Sequence, residues 1–388
     1  MIAKLKLFNP LFVAYFMRRK LALISIDGNG VYNLKHMPFL SELAEKGFFE
    51  VVESIFPTLT DLVHTSVVTG VPPRIHGVVE NGYYDRISDR KVNFYDYEIA
   101  FNPHKVIRAK TVVDILREKG IRSASVSGYT MPPFSGTHVR IFPPFFSDDT
   151  LYREHGRDWR KDRWVLNSAL YLYEECKPNL LLVHFCSIDG MQHDYGPLSD
   201  EAMKAVETID TALNVLWERL RDEYTFIIFA DHGQENVHTW VNLKNYLKKH
   251  GIETLRVSSG GGVHVYLKNP TETEEAYSIL KRAPGVKYVF FREDLPHLNT
   301  PSSGELIVSA KEGYWFCSHR FCDGIKGSSH WVKGMHGSLN ERVIKVPLIL
   351  WGFEKANLEN PTLYDIAPTI LKFFGVEKPK EIIGKSLL

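Results

Sequence analysis

Leu180-Leu181-Leu182-Val183-His184-Phe185-Cys186-Ser187-Ile188-Asp189-Gly190-Met191-Gln192-His193 begins as a largely apolar run of strand length and ends in acidic and imidazole side chains. A strand with one wet face alternates apolar with polar residues. A strand apolar on both faces is covered on both sides, as in a parallel sheet sheathed by helices. Comparable runs occur at Leu21 to Ile26, Ser123 to Ser127, Phe226 to Ala230 and Val346 to Trp351. Helical patterns lie between them. One starts at Ser199, whose hydroxyl can cap it, and repeats Val206, Ile209, Leu213, Leu216 and Leu220 at helical spacing. Another runs from Pro38 to Lys46, with Leu40, Leu43 and Ala44 inward and Gly47 placed to end it. The expected fold is α/β, a mostly parallel central sheet with helices on both faces. Between Asn236 and Pro301 charged helical segments around Lys244 and Glu274 alternate with short strands at Val263 to Leu267 and Val286 to Phe291. This stretch, 236–301, is expected to be an inserted α+β cap-like subdomain, leaving 1–235 and 302–388 as the catalytic core.

With 388 residues, burying a large core is no difficulty, and an enlarged domain or a core with an added subdomain is expected. Basic and acidic residues number 47 and 46, a net charge of +1, so a structural nucleic-acid partner is not expected. Four cysteines are too few for a disulfide scaffold, which makes a reducing compartment, the cytoplasm, the expected location. The apolar run from Leu7 to Met17 is too short to span a bilayer, and Arg18-Arg19-Lys20 stands where a cleavage site would lie. It reads as a docked leader that leaves room for peripheral membrane association, with no transmembrane segment. Cys317, His319 and Cys322 could form a small metal site or a disulfide, but without a fourth ligand the cluster reads as incidental. Gly260-Gly261-Gly262 reads as a turn before a strand, and Asp148-Asp149 as a solvated loop.

In an open parallel sheet, ligands bind beyond the carboxyl ends of the strands. Four segments place candidate ligands there: Asp27 after Leu21 to Ile26, Asp189 and His193 on a turn after Leu180 to Ile188, Asp231-His232 after Phe226 to Ala230, and His336 in Gly334-Met335-His336-Gly337. Taken singly, Asp27 or Asp231 reads as a turn former or cap. Four such segments in one chain are hard to obtain from capping alone. Carboxylate oxygen and imidazole nitrogen suit borderline divalent ions, so two ions are expected, zinc by ligand type, with manganese second.

Phe56-Pro57-Thr58-Leu59-Thr60-Asp61-Leu62-Val63-His64 reads as a loop feeding a helix that Gly70 stops. Unpaired N–H groups at a helix start favour a phosphate and ease formation of an alkoxide. Thr60 is therefore either a nucleophile or an N-cap, with Thr58 the weaker candidate. Asn81, before Gly82, reads by itself as a turn residue.

The joint pattern resembles the nucleotide pyrophosphatase/phosphodiesterase branch of the alkaline phosphatase superfamily. It is carried by Phe56 to Thr60, Thr69-Gly70, His76-Gly77, Asn81, the block Asp189 to Pro197, Asp231-His232-Gly233, His336-Gly337, and the tail from Asp365 to Leu387. The resemblance implies Asp189, His193 and His336 on one ion, and Asp27, Asp231, His232 and Thr60 on the other. It also implies Asn81 holding a phosphoryl oxygen, and a phosphothreonine intermediate in the hydrolysis of phosphodiester or pyrophosphate bonds of nucleotides or related small molecules. A phosphonate hydrolase and a metal-dependent phosphomutase are alternatives on the same core. Leu59 and Asp61-Leu62-Val63 depart from the branch pattern, and Asp61 is expected either to place a negative charge beside the phosphate or to point away or cap the helix.

Overall fold

The strands of the central sheet and of the subdomain sheet are β1 (Leu21–Ile26), β2 (Phe48–Glu53), β3 (Ser123–Ser127), β4 (Val139–Ile141), β5 (Leu180–Phe185), β6 (Thr225–Phe229), β7 (Thr254–Val257), β8 (Gly262–Leu267), β9 (Val286–Phe291), β10 (Leu306–Ala310) and β11 (Lys345–Trp351). A central seven-stranded sheet has the order β2-β11-β6-β1-β5-β3-β4. The computed structural model from which this follows describes residues 19–94, 96–129, 131–142, 160–319 and 322–388. The apolar run Leu7 to Met17 and Asp148-Asp149 lie outside the described residues.

Alternation within each strand divides the core into two layers. Leu21 and Leu23 of β1, with Leu180 and Leu182 of β5, enter one layer; Ala22, Ile24 and Ile26, with Leu181, Val183 and Phe185, enter the other. Both layers are dry because helices cover both. On the first lie α2 (Thr60–Thr69) and the C-terminal helix Ile366–Phe373. On the second lie α1 (Pro38–Lys46) and α4 (Asp200–Leu220), the latter capped by Ser199 Oγ accepting from Ala202 N at 3.2 Å. The expected inward residues Val206, Ile209, Leu213, Leu216 and Leu220 of α4 are all buried.

The sheet is mostly parallel. The apolar run at Val346 to Trp351 is the exception, since β11 lies antiparallel to both β6 and β2. The sequence reading passed over β2, whose Glu50 and Glu53 interrupt the apolar run at an edge strand with mostly half-buried residues.

β7, β8, β10 and β9 form a second, four-stranded antiparallel sheet in that order. Segment 236–301 supplies three of its strands, and β10, beyond Pro301, runs between β8 and β9. Helices Leu243–Lys249 and Thr273–Leu280 pack on one face, while Tyr266 and Ile307 on the other join the core of the main sheet. Among the described residues no helix is long and apolar enough to cross a membrane.

Candidate active site

The carboxyl ends of β1, β2, β5 and β6 deliver the candidate residues to one edge of the sheet. Asp27 follows β1 directly, and its N–H donates to Phe185 O at the end of β5 (2.9 Å). Asp189 and His193 lie not on a turn but on α3 (Ser187–Tyr195), where a spacing of four residues puts both on one face. Gly28 permits the close approach of β1 to α3: at φ +72°, a Cβ there would lie 2.8 Å from Asp189 Cα. His336 follows a two-residue strand, Gly334–Met335, that pairs with Glu235 and Asn236 rather than ending a strand of the main sheet. Gly261-Gly262 is more than a turn. It brings the subdomain sheet against this loop, with Gly261 N donating to His336 O at 2.7 Å, and a Cβ on Gly262 would lie 2.0 Å from Gly337 O.

Asp189, His193 and His336 bring one ligand atom each within 4.8 Å of one another, and so do Asp27, Asp189 and His232. Asp189 belongs to both groups and so sits between them. His193 Nε2 is 3.3 Å and His336 Nε2 3.8 Å from Asp189 Oδ1. His232 Nε2 is 3.4 Å from Asp27 Oδ1 and 3.3 Å from Asp231 Oδ2. The rings of His232 and His336 stack with centroids 3.6 Å apart.

Each of these three imidazoles has its Nδ1 against a backbone carbonyl: His193 to Gly334 O (2.8 Å), His336 to Thr58 O (2.7 Å) and His232 to Gly233 O (3.2 Å). A carbonyl only accepts, so each ring carries a proton on Nδ1 and turns its Nε2 toward the carboxylates. Asp231 is arranged likewise. Its Oδ1 accepts from Gly28 N and His232 N (3.2 and 3.0 Å), while its Oδ2, like Asp27 Oδ1, is buried with no donor. Acceptors thus outnumber donors here, and a divalent cation would satisfy the two carboxylate oxygens that have none. The donor set of imidazole nitrogen and carboxylate oxygen fits zinc.

The electrostatics follow from this crowding. Burial, then the neighbouring carboxylates of Asp231 and Asp189, push Asp27 well above the carboxylate range. Burial and Asp189 raise Asp231 to about 7. Burial also opposes ionisation of Asp189, but His193, with Nε2 3.3 Å from its Oδ1, outweighs it and holds that carboxyl low. Burial depresses His232 strongly and His336 to about 4, keeping both neutral as metal ligands must be.

Thr60 is the first residue of α2, with Oγ1 3.3 Å from His232 Nε2. Leu59 is the N-cap and offers no side-chain oxygen, so Thr60 is not an N-cap. Asn81 supplies the missing acceptor, its Oδ1 taking Asp61 N–H at 2.9 Å. Thr58 is engaged elsewhere, since its Oγ1 accepts from Gly337 N at 2.9 Å and its carbonyl fixes His336.

Asp61 does not cap the helix. Its carboxyl is wholly buried with no hydrogen-bond partner, and burial with Asp231 raises it to about 8. Burial thus favours the neutral form of this carboxyl beside Thr60. Cys317 and Cys322 form a disulfide with Cα atoms 6.2 Å apart, so the cluster with His319 is a covalent staple rather than a metal site.

The sequence reading missed His184, His64 and Gln234. Gln234 Nε2 donates to Asp189 O (3.0 Å) and Oδ1 (2.5 Å). His64 spans Thr60 O (2.8 Å) and Ser25 Oγ (2.6 Å), and burial lowers it to about 4. A histidine inside an apolar strand was the available signal for His184.

A largely parallel sheet flanked by helices, with carboxylates and imidazoles gathered at its carboxyl edge, is the architecture of the alkaline phosphatase superfamily. Residues 21–339 match the model of type I phosphodiesterase / nucleotide pyrophosphatase, and the chain belongs to that family. Venom phosphodiesterase 2 of Crotalus adamanteus is 26% identical over 237 residues, 58% of this chain and 28% of its own length. Human ectonucleotide pyrophosphatase/phosphodiesterase family member 1 is 25% identical over 252 residues, 62% of this chain and 25% of its own length. The chain therefore spans roughly a quarter of the length of these relatives. Murine ectonucleotide pyrophosphatase/phosphodiesterase 5 shares the fold at TM-score 0.70 and 19% identity, covering 93% of this chain and 96% of the other. Phosphonoacetate hydrolase of Sinorhizobium meliloti, solved with phosphonoformate, does so at TM-score 0.71 and 20% identity, covering 92% and 95%. The family is metal-dependent, and this chain carries two groups of residues suited to hold metal.

Proposed function

We propose that the chain hydrolyses phosphodiester or pyrophosphate bonds of nucleotides or related small molecules, with Thr60 as nucleophile. One observation carries the reading: imidazole Nε2 atoms and buried carboxylate oxygens gather in two groups that share Asp189, and His232 Nε2 of the second group lies 3.3 Å from Thr60 Oγ1. Asp189, His193 and His336 would hold one divalent ion. Asp27, Asp231, His232 and Thr60 Oγ1 would hold the other, with zinc favoured by ligand type. When bound, the pair supplies neutralisation of charge on the attacking and leaving oxygens and lowers the pKa of hydroxyl and water.

The protein's own contribution is placement. Thr60 at the first position of α2 presents its oxygen where the helix N–H groups and dipole favour an anion. Asn81 is anchored through its carbonyl oxygen, which leaves its NH2 to donate to a phosphoryl oxygen. In-line attack by Thr60 Oγ1 on phosphorus breaks the P–O bond to the departing alcohol or phosphate, which leaves as the phosphothreonine forms. Water then attacks phosphorus and breaks the Thr60 Oγ1–P bond, so the two inversions retain configuration overall. Nucleotides as the substrate class are supported by murine ectonucleotide pyrophosphatase/phosphodiesterase 5, of the same fold, solved with AMP.

The test compares nitrophenol release from a nitrophenyl diester and a nitrophenyl monoester with phosphate release from phosphonoacetate, each with zinc added and after chelation. Zinc-dependent turnover of the diester is expected, lost by ~10³-fold or more in Thr60→Ala. A Thr60→Ala protein that retains full turnover removes Thr60 as nucleophile. Preference for a carbon–phosphorus bond, as in the phosphonoacetate hydrolase neighbour, would move the reading to a phosphonate hydrolase.

A further inference from the structure

Three neighbouring strands place polar side chains at one level of an otherwise apolar sheet. The register pairs Ser25 of β1 with His184 of β5, and His184 with Ser127 of β3. All three side chains are buried. A polar row in a dry layer is unfavourable unless every member is satisfied, and this row is satisfied in a way that reaches the metal ligands.

His184 Nε2 lies 3.0 Å from Asp27 Oδ2, and His184 Nδ1 lies 3.0 Å from Ser127 Oγ. Ser127 Oγ also accepts from Tyr129 N at 3.3 Å, which directs its own proton to His184 Nδ1. The chain of donors therefore runs one way, from Tyr129 N–H to Ser127 to His184, whose Nε2–H donates to Asp27. His64 and Tyr129 pack edge-on against the imidazole, with centroids 5.2 and 5.0 Å away, so the ring has little freedom to turn. The consequence falls on Asp27. With Oδ2 held by His184, Oδ1 is the oxygen presented to His232 Nε2, 3.4 Å away, and it has no donor of its own.

We propose that His184, oriented by Ser127, is a positioning residue that fixes which oxygen of Asp27 faces the metal, and so sets the affinity of the Asp27/Asp231/His232 site. The inference rests on the two-ion reading above and adds a residue outside the ligand set. Hydrogen bonds to ligating carboxylates are commonly worth 10–100-fold in metal affinity, which gives the scale of the effect.

His184→Phe fills the volume without a donor, His184→Gln keeps a donor that can reach Asp27, and Ser127→Ala removes the anchor of the ring. The full chain of each variant is stripped with a chelator, checked for folding by circular dichroism, and titrated with zinc against a chromophoric competitor. Cobalt absorption reports the coordination geometry. Wild type is expected to take two equivalents. His184→Phe should retain one at wild-type affinity and weaken the other by about 10–100-fold with an altered cobalt spectrum. His184→Gln should return close to wild type, and Ser127→Ala should weaken the same equivalent to a smaller degree. Unchanged affinity at both sites in His184→Phe overturns the proposal, as does His184→Gln as weak as His184→Phe, because a lost ring rather than a lost donor would then be responsible. Should His184→Phe not fold, Ser127→Ala decides by whether that one equivalent weakens. Wild type is assayed in parallel for diester hydrolysis. Failure of wild type to bind two ions overturns the functional reading together with this one, whereas two ions bound equally by wild type and His184→Phe overturns this one alone.

Discussion

Asn81 holds the start of the nucleophile helix by one end of its amide and leaves the other end for substrate. Its Oδ1 replaces the capping oxygen that Leu59 lacks, so the residue has a structural and a chemical task that substitutions can separate. Asn81→Asp keeps an acceptor for Asp61 N–H but loses the NH2 and adds a charge that repels phosphate. Stability is expected to stay close to wild type while kcat/KM falls by about 10²–10³-fold. Asn81→Ala loses both roles and should also lose about 1 kcal/mol of stability, the usual worth of a cap. Urea unfolding beside diester kinetics distinguishes the two, and an Asn81→Asp enzyme of wild-type kcat/KM would show that the amide does not touch phosphate. The same reasoning explains why Asn81 was ambiguous in the sequence. Its partner Asp61 N is twenty residues away in a different element, so nothing near Gly82 marked it as more than a turn residue.

At the scale of elements, the loop bearing Asn81 is joined to the subdomain sheet through Glu80. This side chain is buried, its Oε1 accepting from Ser258 Oγ and from His264 N at 3.0 Å, and burial raises its pKa from 4.5 to about 7. Between those values the folded chain keeps a proton that the unfolded chain has released, so stability falls as pH rises through that window and levels off above it. Glu80→Gln keeps the accepting oxygen without the titration. It is expected to be more stable than wild type at pH 8 by up to about 3 kcal/mol, with little difference near pH 4.5, the ceiling following from the size of the shift. Urea midpoints at both pH values check this, and a stability difference that does not change between them refutes it. Elements differ in how plainly the sequence declared them. β1, β5 and β6 were legible because burial on both faces leaves little but apolar residues, whereas β3 buries three small serines beside Ala124 and Val126. β2 was not, with its glutamates at a half-buried edge, nor was α3, where Gly190 lowers helix propensity within the helix. The six candidate acids and imidazoles were legible because each follows a predicted strand or lies in a glycine-bounded turn; Thr60 was legible from its place at a helix start. His184 was not, because Asp27 and Ser127, which give it meaning, are distant in the chain and meet it only through the register of the sheet.

For the whole molecule, the site is the point where segments near residues 27, 60, 189, 231 and 336 meet, bringing together both core layers and the loop tied to the subdomain sheet. Without cations, Asp27, Asp189 and Asp231 crowd one another and the histidine lone pairs. That repulsion is absent from the unfolded chain, where the segments are far apart. Divalent ions that bind the assembled site and not the separated segments must therefore stabilise the fold, by about 2.7 kcal/mol per site at a hundredfold excess over Kd. A chain of this size has a large unfolding entropy, so each kcal/mol moves Tm by only about 1 °C, and one saturated site gives roughly 3 °C. Chelation is expected to lower Tm by several degrees and added zinc to restore it in a concentration-dependent way. In Asp231→Asn, which removes one of the crowded charges, the chelated protein should melt closer to the metal-loaded one. Differential scanning calorimetry with chelator and with graded zinc measures both. A Tm indifferent to chelator and to zinc in the wild-type chain would mean that the converging acceptors do not hold metal in the folded protein.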